Sequence, residues 1–322
     1  MGKKNDHKKV MKRLDEHQQP VQPDDVLAEA GRKVLLGELI EMLKREAGSR
    51  TGNDIEDVHK MRVAIRQSRS AFRLLSDVYK PKVVRTYDKG LRKIMRALGD
   101  VRDLDVMIGN LRAFDAPLDD VQAAAMQEVI GALDLRRTVA RDQLLRVLDS
   151  KAYQRFVKDY SDFLTTPSAG IQSNSSDEIV PVQVRHVLPP MIYEHLAMVR
   201  AYEPALEDAE AETLHALRIE FKRLRYVVTL FSGVLGKEIA DFIVEVKKIQ
   251  DILGEMNDIE VAHESLTDLM DDLEGDQIAA LWIYLDALEN QKPDLYAQFP
   301  AAWKRFNAKT VQRKLAVAVA EL

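Results

Sequence analysis

The chain has 322 residues, no cysteine and a formal net charge of −5. Its 46% hydrophobic residues can fill the cores of two domains or two fused halves, while the lack of cysteine excludes disulfides, a thiolate nucleophile and zinc–sulfur sites. Charged residues make up 31% and aromatic ones 6%, with only 14 glycines and 11 prolines, a mixture that favours long amphipathic helices over strands.

Residues 1–25 are polar, carry Lys3, Lys4, Lys8, Lys9 and Lys12, and end near Pro20 and Pro23; they read as a disordered basic tail. No apolar segment follows these lysines, and no apolar run reaches about 18 residues, so neither a signal peptide nor a membrane span is expected. The chain is expected to be cytoplasmic. A first helix is predicted from Asp25 to Ala47 by the spacing of Val34, Leu35, Leu39 and Leu43, and Gly48 with residues 49–53 breaks it.

Asn53 or Asp54 then caps a second helix that Lys80-Pro81 stops near Tyr79. Along it, His59, Arg62, Arg66, Arg69 and Arg73 crowd into an arc of roughly 80° at helical periodicity. Met61, Ala64, Ile65, Ala71, Phe72 and Leu75 occupy the other side. One face is oily and the other is a cationic strip about 20 Å long, with no acid between His59 and Arg73.

A third helix is predicted from Val83 to Leu98, with Lys82, Arg85, Lys89, Arg92 and Arg96 on one face and Gly99 as its terminator. Asp100 opens a fourth, expected to reach Phe114, followed by a long helix from Val121 to Leu148 and a short one from Tyr153 to Leu164. Residues 165–188 have linker chemistry, which divides the chain into a first half at 26–164 and a second at 189–322. Pro189 or Pro190 is expected to start the next helix, which runs to about Tyr202. Glu207, Asp208, Glu210 and Glu212 precede a further helix around His215.

That helix repeats the earlier pattern. His215, Arg218, Lys222 and Arg225 take the places of His59, Arg62, Arg66 and Arg69, 156 positions later. Leu98-Gly99-Asp100-Val101-Arg102-Asp103 likewise matches Leu253-Gly254-Glu255-Met256-Asn257-Asp258, 155 positions later. Two fused copies of one helical unit are expected, related by an approximate twofold, with both basic strips facing a shared surface. Arg92 and Lys93 find counterparts in Lys247 and Lys248, but Arg85, Lys89 and Arg96 meet Ala240, Val244 and Asp251. From Glu255 to Asp276 the second half turns acidic, which is how strips this basic coexist with a negative total.

Arginine suits phosphate because its planar fork donates two parallel charge-assisted hydrogen bonds and stays protonated. The histidines lack the spacing of a metal pair and an evident nucleophile; they fit as phosphate donors or as structural groups at a helix start. Asp100, Asp103 and Asp105 resemble a metal cluster but are more simply first-turn acids. Trp282 and Trp303 are expected to pack inside, and no aromatic platform interleaves with the strip, which speaks against single-stranded nucleic acid.

The paired segments Val58-His59-x-x-Arg62-Val63-x-x-Arg66-x-x-Arg69 and Leu214-His215-Ala216-Leu217-Arg218-Ile219-x-x-Lys222-Arg223-Leu224-Arg225-Tyr226, with the two glycine motifs, resemble the CHAD family of histidine-bearing α-helical domains. The resemblance runs from about residue 26 to the C-terminus and leaves no room for the β-rich triphosphate-processing domain of some members. It implies an all-α fold of two four-helix bundles with pseudo-twofold symmetry. It also implies binding of inorganic polyphosphate along a central basic groove or pore, without turnover; from the residues themselves, neither cofactor nor metal is expected. The implied contacts are His59, Arg62, Arg66, Arg69, Arg92, Lys93, His215, Arg218, Lys222, Arg225, Lys247 and Lys248. Arg73 and Arg96 extend the basic faces, and Lys82, Arg85 and Lys89 are further candidates. Association with polyphosphate granules is one expected use. Two other readings stay open: a metal-dependent phosphohydrolase or phosphotransferase using the histidines, and an adaptor for nucleic acid or acidic protein.

Overall fold

The structure, a computed structural model, describes residues 2–172, 180–207 and 209–322. It is all-helical: among the described residues there is no β-strand, only isolated bridges between Val26 and Gln183 and between Tyr79 and Ile171. The first half comprises α1 (Gly2–His17), α2 (Leu27–Thr51), α3 (Ile55–Leu74), α4 (Pro81–Arg112), α5 (Asp120–Asp149) and α6 (Lys151–Thr165). The second comprises α7 (Val184–Arg200), α8 (Ala211–Leu230), α9 (Ile239–Met270), α10 (Gly275–Glu289), α11 (Lys292–Phe306) and α12 (Lys309–Ala320).

Local chemistry sets several of these limits. Asp54 caps α3 by accepting from the Glu56 N–H, and Pro81 occupies the first position of α4, where its missing N–H leaves nothing unpaired. The α2–α3 turn uses Gly52 at φ +67°, a conformation that favours glycine. α5 begins with a reciprocal capping box between Asp119 and Gln122.

Three expectations change here. The N-terminal segment is not a disordered tail. Gly2–His17 is a helix whose Leu14 is fully buried, with Val10 and Met11 against the main core and Arg13 bonded to Asp162 and Ser161 of α6. Three apolar residues in a polar run make too narrow a stripe to read from sequence. Gly99 does not end a helix: α4 runs unbroken through it for 32 residues, and α9, also 32 residues, runs through Gly254. Pro189 and Pro190 lie inside α7, which already starts at Val184. Their missing N–H groups strand only carbonyls of the first turn, at Arg185 and the exposed His186. The expected 165–188 linker is correspondingly shorter. Residues 170–172 pair with the α3–α4 turn through Lys80 N to Gly170 O and Gln172 N to Val78 O, while 173–179, like Asp208 of the acidic patch, lie outside the described residues.

The halves meet at several places. α3 packs against α8, α2 touches α7, and α5 packs against α10. The main core is shared, running from Leu14 through Phe72, Phe221 and Phe242 to Val319. A separate second core gathers Ile108 and Leu111 of α4, Val129 and Leu133 of α5, Leu266 and Leu269 of α9, and Leu281 and Leu285 of α10. The far ends of both long helices are thus tied across the halves.

Candidate anion-binding site

The apolar arc of α3 goes inward through Val58, Met61, Ala64, Ile65, Ala71 and Phe72, and that of α8 through Leu214, Leu217, Phe221, Leu224, Val227 and Val228. The helical period then leaves the basic residues of both on the remaining arcs, where His59, Arg62, Arg66, Arg69, Arg218, Lys222 and Arg225 are half-buried and Arg73 and His215 exposed. Because α3 and α8 pack together, the two strips converge.

Arg66 is where they converge. Its charge acts on Arg218, Lys222 and Arg225 of the opposite half as well as on His59 and Arg62 of its own. Burial, then the neighbouring Arg218 and Arg66, push the Lys222 ammonium down to about 8. Burial is also the first cause lowering Arg62, Arg218 and Arg225, all of which remain cations. The His59 imidazole is lowered by burial and then by Arg102, so it is held toward its neutral form. Arg66 Nε is buried without a hydrogen-bond partner, and Arg66, Lys222 and Arg225 make no ion pair among the described residues.

Other cations are partly balanced. Arg69 Nε donates to Asp88 Oδ1 at 2.7 Å, and Arg92 takes the other oxygen of that carboxylate. Burial would raise Asp88, but these two arginines outweigh it and its carboxyl lies below the usual value. Arg62 reaches Asp103 at 3.6 Å, and Arg218 reaches Asp258 only at 4.0 Å. Asn257 Oδ1 accepts from Arg218 Nη1 at 2.9 Å and lies 3.1 Å from His215 Nδ1.

Position 99 explains the glycine motif. A Cβ there would stand 2.8 Å from Arg62 Nη1, so glycine lets this guanidinium lie against α4. At Gly254 no side chain and no neighbouring element comes within 4 Å of the equivalent point. The next turn of α4 carries Arg102, absent from the sequence-predicted set, whose charge reaches both His59 and Arg62. Asn257 holds that place in the second half, so the first half carries a cation where the second carries a neutral amide. The motif containing Arg102 was the available signal.

A cavity of about 1090 Å³ opens beside the strip, and Arg66, Arg69, Arg73, Lys222 and Arg223 line it. Other predicted residues stand apart from it. Lys82, Arg85, Lys89, Lys93, Arg96 and Lys247 are exposed on α4 and α9 and do not line the cavity. Lys248 Nζ bonds Glu245 at 3.0 Å, a carboxylate that Arg305 of α11 also clasps. Arg92 joins the strip only through Asp88.

The aspartates do not converge: Asp105 is buried against Arg137 of α5, whereas Asp103 turns toward Arg62. Among the described residues no group of three or more histidines and carboxylates is placed to hold a metal, and no helix is long and apolar enough to cross a membrane. Trp303 packs with Phe221 and Phe306 as expected, but Trp282 is 43% exposed beside His263.

Comparisons with known proteins agree with this architecture. The profile of the CHAD domain matches residues 33–267. A Mycobacterium tuberculosis (strain CDC 1551 / Oshkosh) protein described as uncharacterized protein MT2285 is 29% identical over 212 residues, which cover 65% of this chain and 39% of that protein. The chain therefore spans about two fifths of the length of that curated relative. The crystal structure of the CHAD domain from the plant Ricinus communis superposes with a TM-score of 0.65 at 22% identity, covering 94% of this chain and 95% of that one. PptA from Streptomyces chartreusis does so with a TM-score of 0.59 at 15% identity, covering 87% and 100%.

Proposed function

The chain belongs to the CHAD domain family, and from that premise we propose that it is a non-catalytic module that binds inorganic polyphosphate between its two halves. The observation that carries this reading is Arg66: a half-buried guanidinium with an unpartnered Nε, gathered with Arg218, Lys222 and Arg225 and given no carboxylate of its own. Bringing like charges together out of water is unfavourable unless an anion joins them. A linear polyanion supplies charge at a regular repeat, and a ladder of cations on two rigid helices meets it without reorganising.

In this reading Arg62, Arg66, Arg218, Lys222 and Arg225 hold the phosphates, with Arg69 and Arg73 extending the path along α3. Arg102 adds a cation at the His59 end. His59, kept neutral, donates a ring N–H to a phosphate oxygen rather than adding charge. The module works in the cytoplasm, where attachment to polyphosphate granules is its use.

The test is titration of the full chain with long-chain polyphosphate at several salt concentrations. Affinity is expected to fall steeply with salt as counterions are released, by analogy with nucleic-acid backbones. A folded variant with Arg62, Arg66 and Arg69 changed to Glu is expected to lose binding; unchanged affinity would overturn the assignment. Duplex DNA displacing polyphosphate at equal phosphate concentration would overturn the choice of ligand.

A further inference from the structure

The cavity beside the strip is larger and more apolar than a phosphate chain requires. Its volume of about 1090 Å³ slightly exceeds the range of pockets that enclose organic ligands, roughly 300–1,000 Å³. Five cations and only two carboxylates, Asp77 and Glu194, line it, so its charge is net positive. The rest of the lining is largely aliphatic. Val187 and Met191 stand one turn apart on α7, Met95 comes from α4, and Leu74 ends α3. Ile219, on α8 one turn before Lys222 and Arg223, is 37% exposed.

An inorganic polyanion uses only the cationic wall and leaves these side chains against water. An anion with an apolar body uses both. We propose that the cavity binds phosphate monoesters bearing an aliphatic chain, with the phosphate on Arg66 and Lys222 and the chain along Met191, Val187 and Ile219. An aliphatic body fits better than a nucleotide base, because Tyr226 and His195 are the only aromatic rings in the lining and its apolar part is otherwise aliphatic. The proposal rests on the phosphate reading of the strip and adds a ligand class to it. Since Arg66 and Lys222 serve both ligands, the monoester and polyphosphate compete.

The experiment is calorimetric titration of the full chain with octyl phosphate, below its micelle threshold, and with methyl phosphate. Octyl phosphate is expected to bind at least 30-fold more tightly, with a negative heat-capacity change. Met191→Asn, which removes the apolar contact without adding charge, is expected to reduce octyl phosphate to the level of methyl phosphate while long-chain polyphosphate binds as before. Ile219→Asn, at an already exposed position, is the second variant should the first not fold. Equal affinity for the two esters, or undiminished octyl binding by the folded variants, would overturn the inference and leave the polyphosphate reading intact. Failure of the unaltered chain to bind long-chain polyphosphate would overturn that reading instead. Octyl phosphate held equally well after Arg66→Glu with Lys222→Glu would place its head elsewhere and also overturn the inference.

Discussion

Arg62 lies in the space that Gly99 leaves empty: a Cβ at position 99 would come within 2.8 Å of Arg62 Nη1. The clash is with the far end of a flexible side chain, so Gly99→Ala is expected to displace the guanidinium rather than unfold the helix. Alanine also suits a helix interior better than glycine by about 0.5–1 kcal/mol. Thermal unfolding should therefore show unchanged or slightly raised stability, while polyphosphate affinity falls several-fold. Gly254→Ala is the control, because no side chain and no neighbouring element lies within 4 Å there. It should stabilise by the same margin and leave binding unaltered. Equal binding by both variants would show that Arg62 placement does not matter.

Arg66 is the shared neighbour of three α8 cations. Arg66→Ala is expected to weaken polyphosphate binding by about 2–3 kcal/mol, roughly 30- to 150-fold, as loss of charge-assisted hydrogen bonds predicts. The slope of log affinity against log salt should also shrink, by roughly 0.7 for the removed cation if single-stranded nucleic acids are a guide. Lys89→Ala, on the exposed face of α4, should change affinity far less.

Lys222, held near 8 by burial and its cationic neighbours, is expected to make polyphosphate binding pH-dependent. Polyphosphate affinity should fall as pH rises from 7 to 9, since the ammonium loses its proton in that window. Bound anion raises this group, so binding near pH 8 should take up protons, seen as a dependence of calorimetric heat on buffer ionisation enthalpy. Lys222→Arg should flatten the profile. Without ligand the sign reverses. The unfolded chain keeps this proton up to its ordinary 10.5 while the fold releases it near 8, so this group's contribution makes stability rise with pH across that interval.

Asp88 restrains two arginines at once. Asp88→Asn should free Arg69 and Arg92 and raise polyphosphate affinity a few-fold, while lowering stability by about 1 kcal/mol. The Asp88 carboxyl lies below its ordinary 3.8, so its contribution is present at neutral pH and lost as pH falls through the lowered value. Chemical denaturation at pH 7 and at pH 3 should show the variant's deficit shrinking on the acid side.

The basic strips were legible because a helix with one oily arc has only one place to put its arginines, as His59 through Arg73 show. Convergence of α3 on α8 was also legible, through the repeat and the family resemblance. Other features required tertiary context. Gly99 carries the local chemistry of a helix end, yet its reason is a guanidinium from another helix. Arg102 adjoins no other cation of the α3 strip in sequence and joins His59 only across the α3–α4 contact. Lys82, Arg85 and Lys89 satisfied the same periodicity as the strip, but an exposed helix face and a site wall are indistinguishable by period alone. The α1 stripe of Val10, Met11 and Leu14 gains meaning only against α2 and α6.

The second core has a consequence for kinetics. Along α4 the register runs from Asp88 beside Arg69, through Gly99 beside Arg62, to Ile108 in that core. The strip therefore lies between an apolar fastening at the ends of α4, α5, α9 and α10 and the α2–α7 contact, beside which Leu27 N bonds Val182 O, just before α7, at 2.7 Å. Walls fastened at both ends do not part like jaws. In the proposed function the spacing of the two strips is set when the chain folds, before any ligand arrives, and a long polymer settles on them without the helices parting. Association of long-chain polyphosphate should then show no slow conformational phase, which stopped-flow mixing at several ligand concentrations would check.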